Sequence, residues 1–242
     1  MFYVWKLKKI LGILLITVGS CITILTFIKE NFKIKEIEVF NEDFQPSYKV
    51  VVDAGHGEPD GGAISKSGVA ESGLNLSIAL KLKDELEAYG YEVVLTRETE
   101  LNVADSDKQT PIRTMKVSDI NNRIRIVNES DADILVSIHM NNFENSKYYG
   151  WQTFYQKKSE ISKQIAENIQ TGISNQIERA NNRVALPITD IKLIDKSIIP
   201  SVIVECGFLS NEEDLRLLLT EEYQMQIVNG IVEGIEKSYV LN

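Results

Sequence analysis

The chain has 242 residues, a formal net charge of −9, two histidines and two cysteines. This acidic balance disfavours nucleic acid as a partner and simple adsorption to anionic surfaces, because both depend on clustered positive charge. Cys206 is the only cysteine after residue 28, so disulfides are excluded as the support of the folded region.

An apolar N-terminal segment predicts membrane association. Three lysines precede an uncharged, mostly apolar run from Ile10 to Ile28, and about 20 such residues span a bilayer as a helix. Basic residues favour the cytoplasmic side, so residues 1–28 are predicted to anchor the chain in a membrane with the remainder outside the cytoplasm. A cleaved signal peptide is the alternative.

The remaining residues divide into two parts. Residues 29–47 are charged and mixed in character, which is typical of a spacer. Residues 48–242 are numerous enough to bury a core as one folded domain.

Strand and helix patterns alternate along this domain. Its first half is predicted to contain strands at 48–53, 91–97 and 132–140 and helices at 71–90 and 119–130, with a long polar loop at 98–118. Its second half is predicted to contain strands at 150–156, 191–195 and 201–208 and helices at 159–177, 211–220 and 221–240. The alternation predicts an α/β fold whose sheet is covered by helices on both faces.

Each of the two histidines lies at the end of an apolar run. His56 lies in VVDAGHGEPDGGA, residues 51–63, and His139 lies in ILVSIHMNN, residues 134–142. Ligands in such sheets bind beyond the carboxyl ends of the strands, so both histidines and Glu205 are expected at one rim. A zinc hydrolase uses three protein ligands and an open position for water, and the histidines supply two of the three. A structural role is the alternative for each histidine.

A carboxylate is the expected third ligand. The nearest acids after His56 are Glu58, Asp60 and Glu71. Glu71 is preferred because it opens a predicted helix, whose N-terminus stabilises negative charge. Asp53 is predicted to accept a hydrogen bond from the second nitrogen of a histidine. The alternatives are a solvated acid at the helix start for Glu71 and a turn cap for Asp53.

Glu205 follows an apolar strand segment, where a carboxylate is costly unless it is paired, hydrogen-bonded or working. It is predicted to accept a proton from water and to deliver it to a leaving amine. A structural acid held by backbone amides is the alternative. The neighbouring Cys206 is interpreted as a small core residue.

Four sequence blocks carry a resemblance to one family. They are DAGHGEPDGGA, VAESGLNL, RIVNESDADILVSIHMNN and IPSVIVECGFLSNEED. In their order and spacing, the region from Lys49 to the C-terminus resembles the zinc-dependent N-acetylmuramoyl-L-alanine amidases, the amidase-3 family. The resemblance implies a twisted, mixed, mostly parallel sheet with helices on both faces. It further implies one zinc ion bound by His56, Glu71 and His139, with Glu205 as the catalytic glutamate.

The family resemblance implies a peptidoglycan hydrolase. The bond cleaved would be the amide between the lactyl group of N-acetylmuramic acid and L-alanine of the stem peptide. Arg183 is a candidate partner for stem-peptide carboxylates. A compact domain after a membrane segment is similar to the spore-cortex, germination-specific amidases, which prepare muramic-lactam. An extracytoplasmic location is implied, either membrane-anchored or exported, and for a spore-cortex enzyme this is the forespore envelope.

Two other functions are compatible with these residues. A zinc peptidase acting on wall stem peptides would use the same ligands, and a non-catalytic wall-binding or scaffold protein would need none of them. The sequence contains no wall-binding repeat, and an acidic domain attracts acidic peptidoglycan poorly. Two interpretations are compatible with these features: an activating protein partner, which could order the loop at 98–118, or a self-sufficient amidase of modest affinity.

Overall fold

The computed structural model describes residues 48–105 and 110–239. The predicted membrane segment, residues 1–28, and the predicted spacer, residues 29–47, lie outside the described residues. Within the described ranges, no helix is both long and apolar enough to cross a membrane.

Six strands form one sheet in the described part of the chain. They are β1 (Lys49–Ala54), β2 (Glu92–Leu95), β3 (Ile134–Asn141), β4 (Gln152–Gln156), β5 (Leu186–Ile188) and β6 (Ser201–Phe208). Their order across the sheet is β2-β1-β3-β6-β4-β5. Strand β4 runs antiparallel to β6, and the other neighbouring pairs are parallel. The sheet is therefore mixed and mostly parallel, as predicted.

Helices cover both faces of this sheet, which confirms the predicted layering. They are α1 (Glu71–Ala88), α2 (Ile112–Glu129), α3 (Glu160–Gln176), α4 (Lys192–Lys196), α5 (Glu212–Leu218) and α6 (Glu221–Tyr239). Helices α1, α3 and α6 contribute to the larger of two apolar clusters, and α2 and α4 contribute to the smaller one. Val50 and Val52 of β1 belong to the larger cluster and Val51 to the smaller, because side chains alternate across a strand.

The carboxyl ends of three parallel strands meet at one edge of the sheet. Strand β1 pairs with β3 as far as Ala54 and Ile138. In the pairing of β3 with β6, His139 lies opposite Glu205. The structure therefore forms the rim at which the sequence predicts the functional side chains.

The predicted strand at 191–195 is wrong, because the structure has helix α4 there and places the strand β5 earlier in the chain. Leu193 and Ile194 of α4 are both buried and contribute to the smaller apolar cluster. Short apolar runs do not distinguish the two structures by pattern alone. Strand β5 contains Pro187, a residue that sheets tolerate at their edges.

The predicted loop at 98–118 is too long, because helix α2 begins at Ile112, directly after Pro111. The first turns of α2 carry exposed apolar residues: Ile112 is 55% exposed and Val117 is 51% exposed. These turns therefore lack the one-sided apolar spacing by which a helix is recognised in a sequence.

Candidate metal centre

His56 adopts an unusual backbone conformation just beyond β1. Its φ angle of 60° lies in the left-handed region, which residues other than glycine adopt rarely. The preceding Gly55 lies against the ring of His139, and a Cβ atom at this glycine would clash with that ring. The centroids of the two histidine rings are 5.1 Å apart. Gly55 is therefore required for the close approach of the histidine from β3 to the end of β1.

Glu71, the first residue of α1, lies between the two histidines and is 3% exposed. Its Oε1 is 2.9 Å from His139 Nδ1 and accepts a hydrogen bond from the backbone N–H of Met140 at 3.1 Å. Its Oε2 is 3.4 Å from His56 Nε2 and accepts a hydrogen bond from the backbone N–H of Ala63 at 2.9 Å. Each carboxylate oxygen of Glu71 thus faces a different histidine nitrogen.

These three side chains form a compact donor set. One ligand atom from each of His56, Glu71 and His139 lies within 4.8 Å of the other two. Burial opposes ionisation of Glu71, but the hydrogen bond and charge of His139, with the charge of His56, hold its pKa at about 2. Two imidazole nitrogens and an ionised carboxylate are a donor set that zinc uses in catalytic centres. The residues therefore fit a zinc ion.

Asp60 contacts the outer nitrogen of His56. Its Oδ2 lies 3.0 Å from His56 Nδ1, and its Oδ1 lies 2.8 Å from Lys116 Nζ. Burial opposes ionisation of Asp60, but the hydrogen bonds with Lys116 and His56 lower its pKa below the usual value. A carboxylate on one nitrogen of a histidine fixes the orientation of the ring and leaves the other nitrogen for a metal.

The structure gives Asp53 other partners than the predicted histidine nitrogen. Its Oδ1 accepts hydrogen bonds from Thr96 Oγ1 at 2.7 Å and from Arg123 at 2.6 Å, and its Oδ2 accepts one from Ser137 Oγ at 2.6 Å. Burial opposes ionisation of Asp53, but the Arg123 guanidinium and these hydrogen bonds hold its pKa at about 2. Arg123 also donates to the carbonyl oxygen of His56. Arg123 therefore connects Asp53 to the backbone carbonyl group of His56, and Asp53 does not contact the imidazole ring in the described hydrogen bonds.

Glu205 stands beside the donor set, opposite His139 in the pairing of β3 with β6. Its Oε2 is buried and has no hydrogen-bond partner in the part of the chain that the structure describes, so backbone amides of these residues do not hold this oxygen, contrary to the alternative of a structural acid. Burial raises the pKa of Glu205 to about 7; the charge of His139 opposes this rise and that of Glu71 adds to it. The neighbouring Cys206 is fully buried in the core, as predicted.

Arg183 lies to one side of this cluster, next to β4. Its Nη1 donates to Gln152 Oε1 at 3.0 Å, and its Nε donates to the carbonyl oxygen of Tyr149 at 3.1 Å. Gln152 lies opposite Glu205 in the pairing of β4 with β6. The guanidinium carbon is 4.7 Å from the centroid of the Phe208 ring. Arg183 therefore lies at the same end of the sheet as Glu205, beyond the neighbouring strand.

Most of the sequence matches a known protein family. The model of one family, Amidase_3, described as N-acetylmuramoyl-L-alanine amidase, matches residues 50–237. The chain belongs to this amidase family. A germination-specific N-acetylmuramoyl-L-alanine amidase of Bacillus subtilis (strain 168) is 32% identical over 186 residues, an alignment that covers 77% of each chain.

Solved amidase structures share the fold. The CwlD amidase from Clostridioides difficile, solved in complex with the GerS lipoprotein, is 40% identical, with a TM-score of 0.78 over 81% of this chain and 100% of that one. An N-acetylmuramoyl-L-alanine amidase from Clostridium difficile 630 is 29% identical, with a TM-score of 0.70 over 81% of this chain and 98% of that one. Membership of the amidase family and similarity to its germination-specific members are both confirmed.

Asp60, which contacts His56, and Lys116, which contacts Asp60, are difficult to identify from the sequence of this amidase. The sequence patterns identify Asp60 only as an alternative ligand, although its position four residues after His56 allows a turn to bring it to the ring. Lys116 has no signal at all, because it lies in a segment predicted as loop that is the first turns of α2.

Proposed function

We propose that this chain hydrolyses the amide bond between the lactyl group of N-acetylmuramic acid and L-alanine of the peptidoglycan stem peptide. The observation that carries the proposal is the position of Glu205, with its unpartnered Oε2, opposite His139 of the donor set. Metal-assisted hydrolysis of an amide needs both a metal site and a nearby group that moves a proton. Membership of the amidase family supports this choice of bond.

His56, Glu71 and His139 would hold one Zn²⁺ through the two imidazole nitrogens and the carboxylate. The chemistry that this ion supplies when bound is polarisation of the scissile carbonyl and a lowered pKa of water. Asp60 would keep the His56 ring in place by accepting a hydrogen bond from Nδ1, which leaves Nε2 free to bind the metal.

Glu205 would carry the proton between the two halves of the reaction. Its Oε2 would accept a proton from the attacking water as the water oxygen bonds to the carbonyl carbon. The same oxygen would then give that proton to the nitrogen of L-alanine as the C–N bond breaks. Burial disfavours the charged form of this carboxylate, so proton acceptance by Oε2 is favourable.

The test of this function is mass spectrometry of purified sacculi digested by the full chain, with Zn²⁺ and with a metal chelator. An amidase releases stem peptides that begin with a free L-alanine amine and leaves the lactyl groups of the glycan unsubstituted. Shortened peptides on glycan that still carries L-alanine would instead identify a zinc peptidase. Sacculi that stay unchanged with Zn²⁺ even after addition of an extract of the producing cell would identify a non-catalytic wall-binding protein.

Arg183 is proposed as a contact for a stem-peptide carboxylate. Support comes from its place at the same end of the sheet as Glu205 and from its unengaged Nη2 group, which can donate a charge-assisted hydrogen bond. Arg183→Ala is expected to raise KM about tenfold and to change kcat less than about threefold. The matched control is Arg125→Ala, because Arg125 is an exposed arginine of α2 whose ion-pair partner within residues 48–105 and 110–239 is Glu129. An unchanged KM in Arg183→Ala would remove Arg183 from the substrate site.

The proposed biological role is formation of muramic-lactam in the spore cortex. It is supported by the similarity to a germination-specific amidase of Bacillus subtilis and to CwlD of Clostridioides difficile. Cortex from spores that lack this chain is expected to lack muramic-lactam, and a normal content would contradict the role.

The proposed location is extracytoplasmic, anchored or exported by residues 1–28, in the forespore envelope. Digestion of the chain by protease added to intact protoplasts tests its topology.

An activating protein partner is also proposed. The support is that the CwlD amidase was solved in complex with the GerS lipoprotein, and that a chain with a net charge of −9 attracts acidic peptidoglycan poorly. The measurement is turnover of purified sacculi at saturating Zn²⁺, with and without an extract of the producing cell. Full turnover that the extract does not change would dismiss the partner.

A further inference from the structure

Buried side chains from three separate parts of the fold hold the backbone at the end of β1. Asn75 of α1, Arg97 just after β2 and Arg123 of α2 donate hydrogen bonds to the three consecutive carbonyl groups of residues 54–56. Each of these side chains belongs to a residue that is at most 3% exposed. These three residues are called the carbonyl clamp.

Arg97 is engaged by backbone carbonyl groups. Its guanidinium donates four hydrogen bonds of 2.8 to 3.0 Å, to the carbonyl oxygens of Ala54, Gly55, Ser72 and Thr99. A charge buried among neutral acceptors is costly to keep. Burial and the neighbouring charge of Arg123 lower the pKa of Arg97 to about 10. An apolar side chain would stabilise a buried position more than this charge does. The role of Arg97 therefore lies in its donors, whose fixed directions match the carbonyl groups around it.

Arg123 reaches the histidine itself. Beside its ion pairs with Asp53 and Asp119, its Nη2 donates to the carbonyl oxygen of His56. That residue has a φ angle of 60°, and a left-handed conformation is strained for a residue other than glycine. Such a conformation persists only where surrounding groups hold it, and the hydrogen bond from Arg123 is one of those groups.

Asn75 connects the clamp to the carboxylate of the donor set. It lies one turn after Glu71 on α1, and its Nδ2 donates to the carbonyl oxygen of Gly55 at 3.0 Å and to Glu71 Oε1 at 3.2 Å. Its own Oδ1 is buried and has no hydrogen-bond partner among the described residues. An unsatisfied buried acceptor destabilises the fold, so the contribution of this side chain lies in its N–H groups.

We infer that Asn75, Arg97 and Arg123 are positioning residues that hold His56 and Glu71 in the arrangement required to bind the metal. The inference rests on the metal site proposed above. Residues that orient metal ligands typically contribute about 10- to 100-fold to metal affinity. The clamp should therefore contribute more to the affinity for Zn²⁺ than to the stability of the fold.

Asn75→Leu separates these two contributions, because they change in opposite directions. Without the amide, the carbonyl oxygen of Gly55 keeps its hydrogen bond from Arg97, and Glu71 Oε1 keeps the one from Met140. The unsatisfied Oδ1 disappears, and leucine is a better helix former than asparagine. The metal-free variant is therefore expected to melt at the wild-type temperature or above it, while its dissociation constant for Zn²⁺ rises at least about tenfold.

Arg97→Lys is the second variant. Lysine keeps the charge, but its three donors diverge from one atom and cannot reproduce the fixed fork that serves four carbonyl groups. The control is Arg179→Lys. Arg179 forms an ion pair with the fully buried Asp214 and makes no hydrogen bond to the carbonyl groups of residues 54–56 among the described contacts. Arg97→Lys is expected to weaken Zn²⁺ binding at least about tenfold. Arg179→Lys is expected to lower the melting temperature and to leave Zn²⁺ affinity within about twofold.

The measurement is competition for Zn²⁺ against a chromophoric chelator, made on the full chain and compared with thermal melting of the metal-free proteins. Faster amide hydrogen exchange at residues 55–63 in metal-free Asn75→Leu is a second expected result. Equal affinity in wild type, Asn75→Leu and Arg97→Lys would overturn the inference and leave the proposed function standing. Failure of the wild type to bind Zn²⁺ would overturn both. If Arg97→Lys does not fold, the affinity of Asn75→Leu decides.

Discussion

Glu205→Gln is expected to lower kcat at least about 100-fold while the chain keeps its affinity for Zn²⁺. The glutamine amide has nearly the size and shape of the carboxyl group, so the packing around this position in β6 changes little. The amide cannot accept a proton from water at neutral pH and cannot return one to the leaving nitrogen. Because Glu205 is not a member of the His56, Glu71 and His139 donor set, the metal site is left intact.

The measurement for Glu205→Gln combines steady-state turnover of muropeptides with metal analysis of the same preparation. The matched control is Glu129→Gln, because this exposed glutamate at the end of α2 forms an ion pair of 3.5 Å with the equally exposed Arg125 and lies outside the donor set. Its kcat should match that of the wild type. Near-normal turnover by Glu205→Gln would mean that the unpartnered carboxylate in β6 is a structural feature only.

The position of the donor set could be predicted from the sequence because it depends on the order of strands and helices. His56 follows β1 and His139 lies near the end of β3. These strands are parallel neighbours, which places their carboxyl ends at one edge of the sheet. Glu71 opens a helix, and the structure has α1 beginning at that residue. The ends of strands and helices and their order along the chain can be predicted from the spacing of apolar residues.

The partners of these residues could not be predicted, because they depend on backbone directions over a few residues. The left-handed conformation of His56 turns its ring toward Asp60 and not toward Asp53, although Asp53 is one residue nearer in the chain. Arg123 is recognisable as part of a helix, but its contacts with the carbonyl groups of residues 54–56 cross the fold. No local pattern reports such a contact.

Segments with little apolar contrast were also predicted poorly. The first turns of α2 expose Ile112 and Val117, so no single face marks them as helical, although this part of the helix supplies Lys116 to the site. Helix α4 has only five residues, too few for a helical period to be distinguished from a strand. In both places the packing of neighbouring elements determines the structure more than local preference does.

His139→Ala is expected to abolish stabilisation of the fold by Zn²⁺. A ligand that binds only the folded state at a free concentration about 100 times its dissociation constant stabilises that state by about 2.7 kcal/mol. For a domain of this size, that amounts to a rise in melting temperature of about 5–10 °C. Without the His139 imidazole, the donor set has two members, His56 and Glu71, and loses the three-ligand geometry that catalytic zinc requires.

His139→Ala should remove the stabilisation by Zn²⁺ without destabilising the metal-free fold through Glu71. In the metal-free chain, Glu71 Oε1 would still accept hydrogen bonds from Met140 and Asn75 after the imidazole is removed, so this buried oxygen keeps its partners. Thermal melting with and without Zn²⁺, together with metal stoichiometry, is the measurement. Glu58→Gln is the control, because Glu58 is an exposed acid of the same loop that lies outside the donor set and should leave the Zn²⁺-induced rise unchanged. The same rise in His139→Ala as in the wild type would remove His139 from the site, and loss of the rise in Glu58→Gln would show that the third ligand is misassigned.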